Sequence, residues 1–243
     1  MPQTDRRPAP APTTVRGQAK ARRRQDLLAA SATLFAERGF AGVSIDDIGA
    51  AAGVSGPAVY RHFASKQAVL GAVLLEVSHD LLERGREVAR HAPDPRRRLR
   101  DLVRFQVDFA LHRPAVIVVQ DRELPHLTAE DRRTVRVLQR GYVTLWVEAL
   151  RELAPAREAA DLTLRAQAAF GLINSTPHSL RAAQRLRAPQ EAQRLDAARA
   201  ALEEMTWAAL RTAFPPDPTG APGPTGDPGP TGDPDPTSTG GSP

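Results

Sequence analysis

The chain has 243 residues, a formal net charge of +5 and no cysteine. This length suffices for one or two domains with a sizeable core. The lack of cysteine excludes disulfides, thiolate metal sites and a cysteine nucleophile. No apolar run reaches the length of a membrane span, and the first residues lack the apolar core of a signal peptide, so we expect a cytoplasmic protein.

Charge is distributed unevenly along the chain. Residues 1–24 carry seven basic side chains and one acid, a net charge of +6, and residues 215–243 carry four aspartates and no base. A basic, proline-containing segment can follow DNA phosphates or enter a minor groove, and it can equally be a solvated terminus. We expect residues 1–17 to be a disordered basic arm. Three arginines after it are predicted to contact DNA: Arg22, Arg23 and Arg24.

The first predicted helix spans residues 18–38 and ends at Gly39. Ser44 then precedes an apolar residue, and Asp47 follows three positions later, which is the pattern of a capping box at a helix start. Gly53 ends this second helix, because a left-handed backbone costs glycine little. Ser55 is the next predicted N-cap, and its helix is predicted to continue to residue 63.

Two short helices separated by a glycine turn indicate a helix-turn-helix, whose second helix usually lies in a DNA groove. A helical corner inside an ordinary core is the alternative. Three successive caps, Pro57 in a first turn and the aromatic pair Tyr60 and Phe63 favour DNA binding.

The run G-V-S-x-x-A-V-Y-R-H-F-x-S-K-x-x-V-L at residues 53–70 resembles the DNA-binding signature of TetR-type bacterial transcriptional regulators. The resemblance extends over residues 25–70. It implies a homodimer that binds a palindromic DNA operator and responds to a small-molecule effector. It also implies that four side chains contact DNA phosphates: Ser44, Tyr60, His62 and Lys66. Three others would approach base edges: Ser55, Ala58 and Arg61.

Gly56 and Pro57 depart from the resemblance, because a basic or polar side chain is common at the first of these positions. Gly56 has no side chain for base contacts, so Arg61 is the expected hydrogen-bond donor to a guanine edge. Residues 25–70 carry three basic and four acidic side chains, a net charge of −1. We therefore expect the basic segment before them to supply much of the attraction to DNA.

The remaining elements are also predicted to be helices. Their apolar spacing places them at residues 66–90, 95–111, 115–119, 128–153, 159–174 and 190–214. No strand pattern competes, so the predicted class is all-α, with a three-helix DNA-binding domain at 18–70 and a ligand-binding and dimerisation domain at 71–214. Within residues 215–243, glycine recurs at every third position from 220 to 232. These triplets are too few for a collagen helix, and we expect a disordered tail.

No catalytic or metal-binding pattern is present, so neither an enzyme nor a cofactor is predicted. The six histidines show no paired ligand spacing. Ser175 or Ser179 beside His178 could suggest a nucleophile and its base, but neighbours in sequence rarely meet productively and no nucleophile elbow occurs.

Candidate effector contacts lie in the second domain. Segments 118–124, 138–142 and 171–179 are similar to TetR-type regulators that sense acyl-CoA thioesters, which implies an acyl-CoA effector. The predicted ligand contacts are Phe105, Phe109, Ile117, Gln120, Arg140, Tyr142, Trp146, Phe170 and Asn174. Arg136, Arg140 and Arg181 suit CoA phosphates, although each arginine can equally be solvated. The aromatic residues are by default core residues.

By the same resemblance, the last two helices form the homodimer contact. Leu195, Ala198, Leu202, Met205 and Ala209 form the apolar stripe predicted for the final helix. The predicted function is a ligand-responsive transcriptional repressor. The alternative is a ligand-independent architectural DNA-binding protein that depends on the basic arm.

Overall fold

A computed structural model describes residues 15–177 and 188–214, and every regular element within these ranges is helical. The predicted all-α class is therefore confirmed over the described ranges. None of the helices there is long and apolar enough to cross a membrane. The α-helices are α1 (Val15–Arg38), α2 (Ile45–Ala51), α3 (Gly56–Val59), α4 (Lys66–His91), α5 (Pro95–His112), α6 (Pro114–Glu123), α7 (Ala129–Leu153), α8 (Ala159–Asn174) and α9 (Ala188–Arg211), and a 3₁₀ turn occupies Leu124–His126.

Helix α1 begins at Val15, three residues before the predicted start. Five of the seven basic side chains of residues 1–24 therefore lie on a helix, and only Arg6 and Arg7 precede the described residues. The predicted tail at 215–243 and the residues Ser179 and Arg181 also lie outside the described ranges.

Glycines end α1 and α2 as predicted. Gly39 has a φ of +72° and Gly53 a φ of +67°, which is backbone that other residues adopt only with strain. Ser44 and Asp47 form a full capping box at the start of α2. The Ser44 hydroxyl accepts a hydrogen bond from the Asp47 amide at 3.1 Å, and the Asp47 carboxylate accepts one from the Ser44 amide at 2.8 Å.

Helix α3 is shorter than predicted. It ends at Val59, and residues 60–62 form turns. In these turns the Arg61 amide donates to the Ala58 carbonyl and the His62 amide to the Val59 carbonyl, each three positions earlier in the chain. The chain tightens here because Phe63 is buried and Ser65 immediately caps α4. Ser55 occupies the N-cap position of α3, but its side chain makes no capping hydrogen bond.

Helix α4 joins the DNA-binding head, α1–α3, to the rest of the molecule. Its 26 residues span ~39 Å at 1.5 Å per residue. A Cβ atom on Gly85 would lie 2.5 Å from a ring carbon of Tyr142, and one on Gly71 would lie 2.7 Å from the Asp131 carboxylate. Helix α4 therefore packs closely along α7, and the proposed domain boundary at residue 70 falls inside one continuous helix.

Helices α5 to α9 form a bundle whose core is continuous with that of the head. On α9 the inward face includes Leu202, Thr206 and Leu210, with Leu195 and Ala198 partly buried against it. Met205, which is 49% exposed, and Ala209, which is also exposed, lie outside this inward face, and their contact with a partner helix stays a prediction. The inward residues follow each other at intervals of four, which turns position 205 toward solvent.

Candidate nucleic-acid interface and regulatory core

The predicted base-contacting residues lie on the short α3 helix and the turn after it. Tyr60 is 57% exposed, Arg61 and Ser55 are exposed, and Ala58 is partly exposed. Val59 and Phe63 are buried and fix this segment to the core. The arrangement leaves one narrow surface of α3 free, as a groove-binding helix requires.

Gly56 packs directly against the preceding helix, a contact that the sequence did not reveal. A Cβ atom at this position would lie 1.8 Å from the Asp46 Oδ1 atom on α2. The first residue of α3 therefore fits against an exposed carboxylate of the preceding helix. The Asp46 carboxylate thereby places a negative charge beside the segment predicted to approach DNA.

Two of the predicted phosphate-contacting residues also hold the head together. The Ser44 hydroxyl lies 2.5 Å from the Asp47 carboxylate, and hydrogen bonds from Ser44 hold the pKa of that carboxyl below its ordinary value. The Lys66 ammonium donates to the carbonyls of Phe40 and Val43 at 2.8 and 2.7 Å, and lies 4.4 Å from the centre of the Phe40 ring. Lys66 thus ties the α1–α2 loop, residues 39–43, to the start of α4.

The three predicted DNA-contacting arginines of α1 differ in their surroundings. Arg24 pairs with Glu76 of α4, and its guanidinium lies 5.0 Å from the centre of the Phe63 ring. Arg23 donates to the Ala52 carbonyl at 3.3 Å. Arg22 is exposed and makes no side-chain contact among the described residues, so it alone is unengaged.

His62 lies among cationic side chains. Burial lowers the pKa of His62, and the nearby charges of Lys20, Arg24, Arg23 and Arg61 lower it further. Its Nδ1 atom is buried without a hydrogen-bond partner in the described part of the chain. The imidazole is therefore held neutral in a region that attracts anions.

The aromatic residues predicted to bind ligand pack against one another in the bundle. The Tyr142 ring lies 6.3 Å from that of Phe105 and 5.5 Å from that of Phe170, and the Phe170 ring lies 4.6 Å from that of Trp146. Tyr142 and Trp146 are buried. The four rings thus form one aromatic cluster, as the core interpretation expects.

Several buried polar atoms near this cluster lack good partners. The Tyr142 hydroxyl, the Trp146 Nε1 atom and the Gln106 Oε1 atom have no hydrogen-bond partner among the described residues. Burial raises the pKa of Tyr142, and the neighbouring Trp146 indole only partly opposes this, without a hydrogen bond of normal geometry. Buried polar atoms usually find partners, so these three are available to a bound molecule or to water.

The remaining predicted ligand contacts are dispersed. Ile117 is buried in α6, Gln120 is partly exposed, Arg140 faces solvent on α7, and Asn174 accepts a hydrogen bond from Gln106 at 3.0 Å. Phe109 lies with Phe105 in a 720 Å³ groove between α4 and α5. Its lining also contains three arginines: Arg84, Arg104 and Arg113.

A larger cleft of 1650 Å³ lies between α1, α4 and α6 and contains none of the predicted ligand contacts. Alanine, leucine and valine side chains form part of its wall. The cleft also includes five carboxylates, namely Asp26, Glu37, Glu76, Asp80 and Glu83. Three of them already pair with arginines, Glu76 with Arg24, Asp80 with Arg84 and Glu83 with Arg86. Among the described residues, no group of His, Asp and Glu side chains could hold a metal ion.

Comparison with known proteins matches residues 27–73 to "Bacterial regulatory proteins, tetR family" and residues 92–182 to "Tetracyclin repressor-like, C-terminal domain". The chain is 37% identical over 134 residues to the HTH-type transcriptional repressor KstR2 of Rhodococcus jostii. This match covers 54% of the chain but only 65% of that relative's length.

Solved structures share the fold. A TetR-family transcriptional regulator from Bordetella parapertussis has a TM-score of 0.65 and 26% identity, over 77% of this chain and 93% of that one. FadR from Bacillus subtilis, solved in complex with stearoyl-CoA, has a TM-score of 0.57 and 20% identity, over 76% and 98% of the two chains. At that identity, the second likeness shows the fold alone.

The environment of His62 predicts a pH dependence of folding stability. Because the pKa of His62 is lowered in the folded protein, the unfolded chain takes up this proton first as pH falls below ~6.5. The contribution of His62 to the free energy of unfolding is therefore favourable above that pH, and it is lost as the pH falls through the pKa of His62 in the folded protein. His62→Gln should show a smaller fall in urea-unfolding free energy between pH 8 and pH 5.5 than the parent protein. An equal fall in unfolding free energy in the two proteins would contradict a lowered pKa for His62, since the other five histidines are common to both proteins.

Proposed function

The chain belongs to the TetR family of bacterial regulatory proteins, and from this premise we propose that it is a ligand-responsive transcriptional repressor that binds a palindromic operator as a homodimer. The observation that carries the proposal is the exposed α3 surface. Tyr60 and Arg61 project from a segment that Val59 and Phe63 fix to the core. The relative KstR2 is named a repressor, which favours repression.

In this proposal α3 enters the major groove, where an arginine can donate two hydrogen bonds to a guanine edge. Arg61 is exposed, and its side chain has no hydrogen bond or ion pair within the described residues, so it is available for such a bond. Ser55 and Ala58 approach bases beside it. The groups assigned to DNA phosphates are those of Ser44, Tyr60, His62 and Lys66.

Affinity requires positive charge from outside the helix-turn-helix, because residues 25–70 carry a net charge of −1. Arg22 provides an unengaged charge on α1, whereas Arg23 and Arg24 already contact the head. In the alternative, an architectural DNA-binding protein, these charges would supply nearly all the binding, with little sequence preference.

Two arginine variants separate these functions. Arg61→Ala should weaken binding to the selected operator by about 5- to 150-fold, and binding to random duplex much less, because it removes a base contact worth about 1–3 kcal/mol. Arg22→Ala, the matched control, should weaken binding to both duplexes alike. It should also reduce by about one the slope of log affinity against log salt concentration. Fluorescence anisotropy at several salt concentrations measures both effects. Equal losses on both duplexes for Arg61→Ala would favour the architectural alternative.

A homodimer through α8 and α9 is supported by the apolar surface that these helices expose. Leu164 of α8 is 65% exposed and Met205 of α9 is 49% exposed. A Cβ atom on Gly171 would meet nothing within 4 Å, so a second helix has room to approach closely there. A two-fold dimer places two α3 helices on symmetric half-sites, which is why a palindromic operator is expected.

Leu164→Arg tests this interface. A charge at the centre of an apolar helix contact should convert dimer to monomer in light scattering and weaken operator binding by at least about tenfold, since the two heads would no longer bind together. Val137→Arg is the matched control, because Val137 is 53% exposed on α7, outside the proposed contact. A Leu164→Arg variant that stays dimeric would exclude this interface.

The proposed effector is a hydrophobic small molecule, and specifically an acyl-CoA thioester. The groove between α4 and α5 presents Phe105 and Phe109 for an acyl chain. Its lining contains three arginines that suit CoA phosphates, although two of them pair with Asp80 and Glu203, and it also contains four carboxylates. The unpartnered Tyr142 hydroxyl lies behind Phe105, whose ring packs edge-on against the Tyr142 ring. The fold neighbour FadR is described in complex with stearoyl-CoA.

A thermal-shift series tests the effector. Stearoyl-CoA should raise the melting temperature, because a ligand at a concentration of 100 times its Kd stabilises the folded protein by about 2.7 kcal/mol. As an effector it should also lower the affinity for the operator. Phe109→Ala should reduce the shift, and free CoA is the control for the acyl chain. If isovaleryl-, octanoyl- and stearoyl-CoA all leave the melting temperature unchanged, the effector class is wrong, although the DNA-binding proposal stands.

A further inference from the structure

The first half of α7 presents a strip of arginines to solvent. Residues 132–144 carry four basic side chains and no acidic one. Arg133, Arg136 and Arg140 are exposed at intervals of three and four positions, so they lie on one side of the helix. Val137, which is 53% exposed, lies among them. These four side chains are called the α7 face below.

The charge of the α7 face is uncompensated. None of its three arginines forms an ion pair or a side-chain hydrogen bond within the described residues. Many other arginines of the bundle are paired: Arg104 binds Glu203, and Arg157 and Arg165 both bind Asp161. A concentration of unpaired positive charge on one exposed helix favours an anionic partner.

The last described residue lies at the end of the bundle where α7 also ends. Arg157, four positions after the end of α7, donates to the Ala213 carbonyl at 2.7 Å and to the Thr212 carbonyl at 3.2 Å. The residues that follow Phe214 therefore leave the described structure beside the C-terminal end of α7. These residues, 215–243, contain four aspartates and no basic side chain, and are called the acidic tail below.

The aspartates of the acidic tail can reach the α7 face. At 1.5 Å per residue, Arg140 and Arg133 lie ~20 and ~30 Å before the end of α7 at Leu153. Asp227 is 13 positions beyond Phe214, and 13 extended residues span at most ~45 Å. The remaining aspartates near Asp227 follow it in the chain and have a longer reach.

Two other basic surfaces suit the acidic tail less well. Arg96 of α5 lies 5.1 Å from the centre of the Phe214 ring, and the next residue, Arg97, already pairs with Asp101. The basic side chains of α1 lie in the head, at the other end of α4, which spans ~39 Å. The α7 face is therefore the nearest strip of exposed and unpaired arginines along a helix that begins beside the origin of the tail.

We propose that the acidic tail docks on the α7 face of its own chain and shields these arginines from other polyanions, including random duplex DNA. Ion pairs between exposed side chains are individually weak and screened by salt, so the contact is reversible. Uncovered arginines outside the head would bind DNA without regard to its sequence. The docking itself does not rest on the proposed function, because it needs neither operator nor effector.

A cross-link locates the acidic tail. The chain lacks cysteine, so Thr231→Cys provides a single attachment point for a benzophenone photo-cross-linker, between Asp227 and Asp233. At low salt the full chain should form adducts within residues 129–147 of the same chain. Salt at ~1 M should remove most of them, because the Debye length falls to ~3 Å. Mass spectrometry of the digested protein identifies the adduct sites.

Three results would overturn the docking. These are adducts mainly on residues 15–61 of the head, adducts that join two chains on a denaturing gel, and adducts confined to residues 215–243. Each would place the acidic tail somewhere other than the α7 face of its own chain.

Two double variants test the arginines. Arg136→Gln combined with Arg140→Gln should reduce the α7 adducts by about threefold or more, because two exposed ion pairs are lost. Arg86→Gln combined with Arg90→Gln is the matched control. It removes the same charge at the same spacing from α4, where Arg86 already pairs with Glu83, and should leave the adducts unchanged. Equal losses in the two double variants would show a general charge effect and overturn the proposal.

Shielding is measured with Asp227→Asn, Asp233→Asn and Asp235→Asn together in the full chain. This variant should bind random duplex about threefold more tightly than the parent protein at about 50 mM salt, by fluorescence anisotropy. Adding the Arg136→Gln and Arg140→Gln changes should cancel the gain. No gain, or a gain that persists without these arginines, would overturn the shielding. If the parent protein binds no duplex at all, the proposed function fails, and the cross-links still decide the docking.

Discussion

The close packing of α4 on α7 is the constraint on which the rest of the molecule depends. At Gly85 the helix backbone lies against the Tyr142 ring with no room for a Cβ atom, and Gly71 makes a similar contact at Asp131. Because α4 is one unbroken helix, these contacts fix the direction of its first turn as well. The head is attached at that turn through Lys66, so the bundle core determines where the DNA-binding surface can lie.

The helix boundaries were largely predictable because their signals are local. Helices α7 and α8 were predicted nearly to the residue: Thr128 caps α7 through the Asp131 amide, and α8 ends at Asn174. Gly39 and Gly53 have the left-handed backbone that their positions indicated. Local patterns failed where packing decides. Helix α3 ends early because Phe63 must enter the core, and the apolar stripe predicted for α9 is divided between two faces because Thr206 occupies the inner row.

The site residues were predictable only in part, for a related reason. Exposure of Tyr60 and Arg61 follows from the apolar pattern around them. The partners of Arg24 and Lys66 do not, because Glu76 is 52 residues from Arg24 and Phe40 is 26 residues from Lys66. Four of the aromatic residues predicted to contact ligand lie together, and their ring contacts required the tertiary structure.

The carboxylate that lies beside Gly56 also affects how the protein moves over DNA. Asp46 is exposed beside the first residue of α3, so it repels phosphate oxygens wherever the groove does not compensate with base contacts. Non-specific binding is almost wholly electrostatic, and it is weakened more than binding at a matched site. A head of this kind stays for a shorter time on each random segment of a chromosome. It therefore searches faster, and it gains discrimination by reducing attraction to every other sequence.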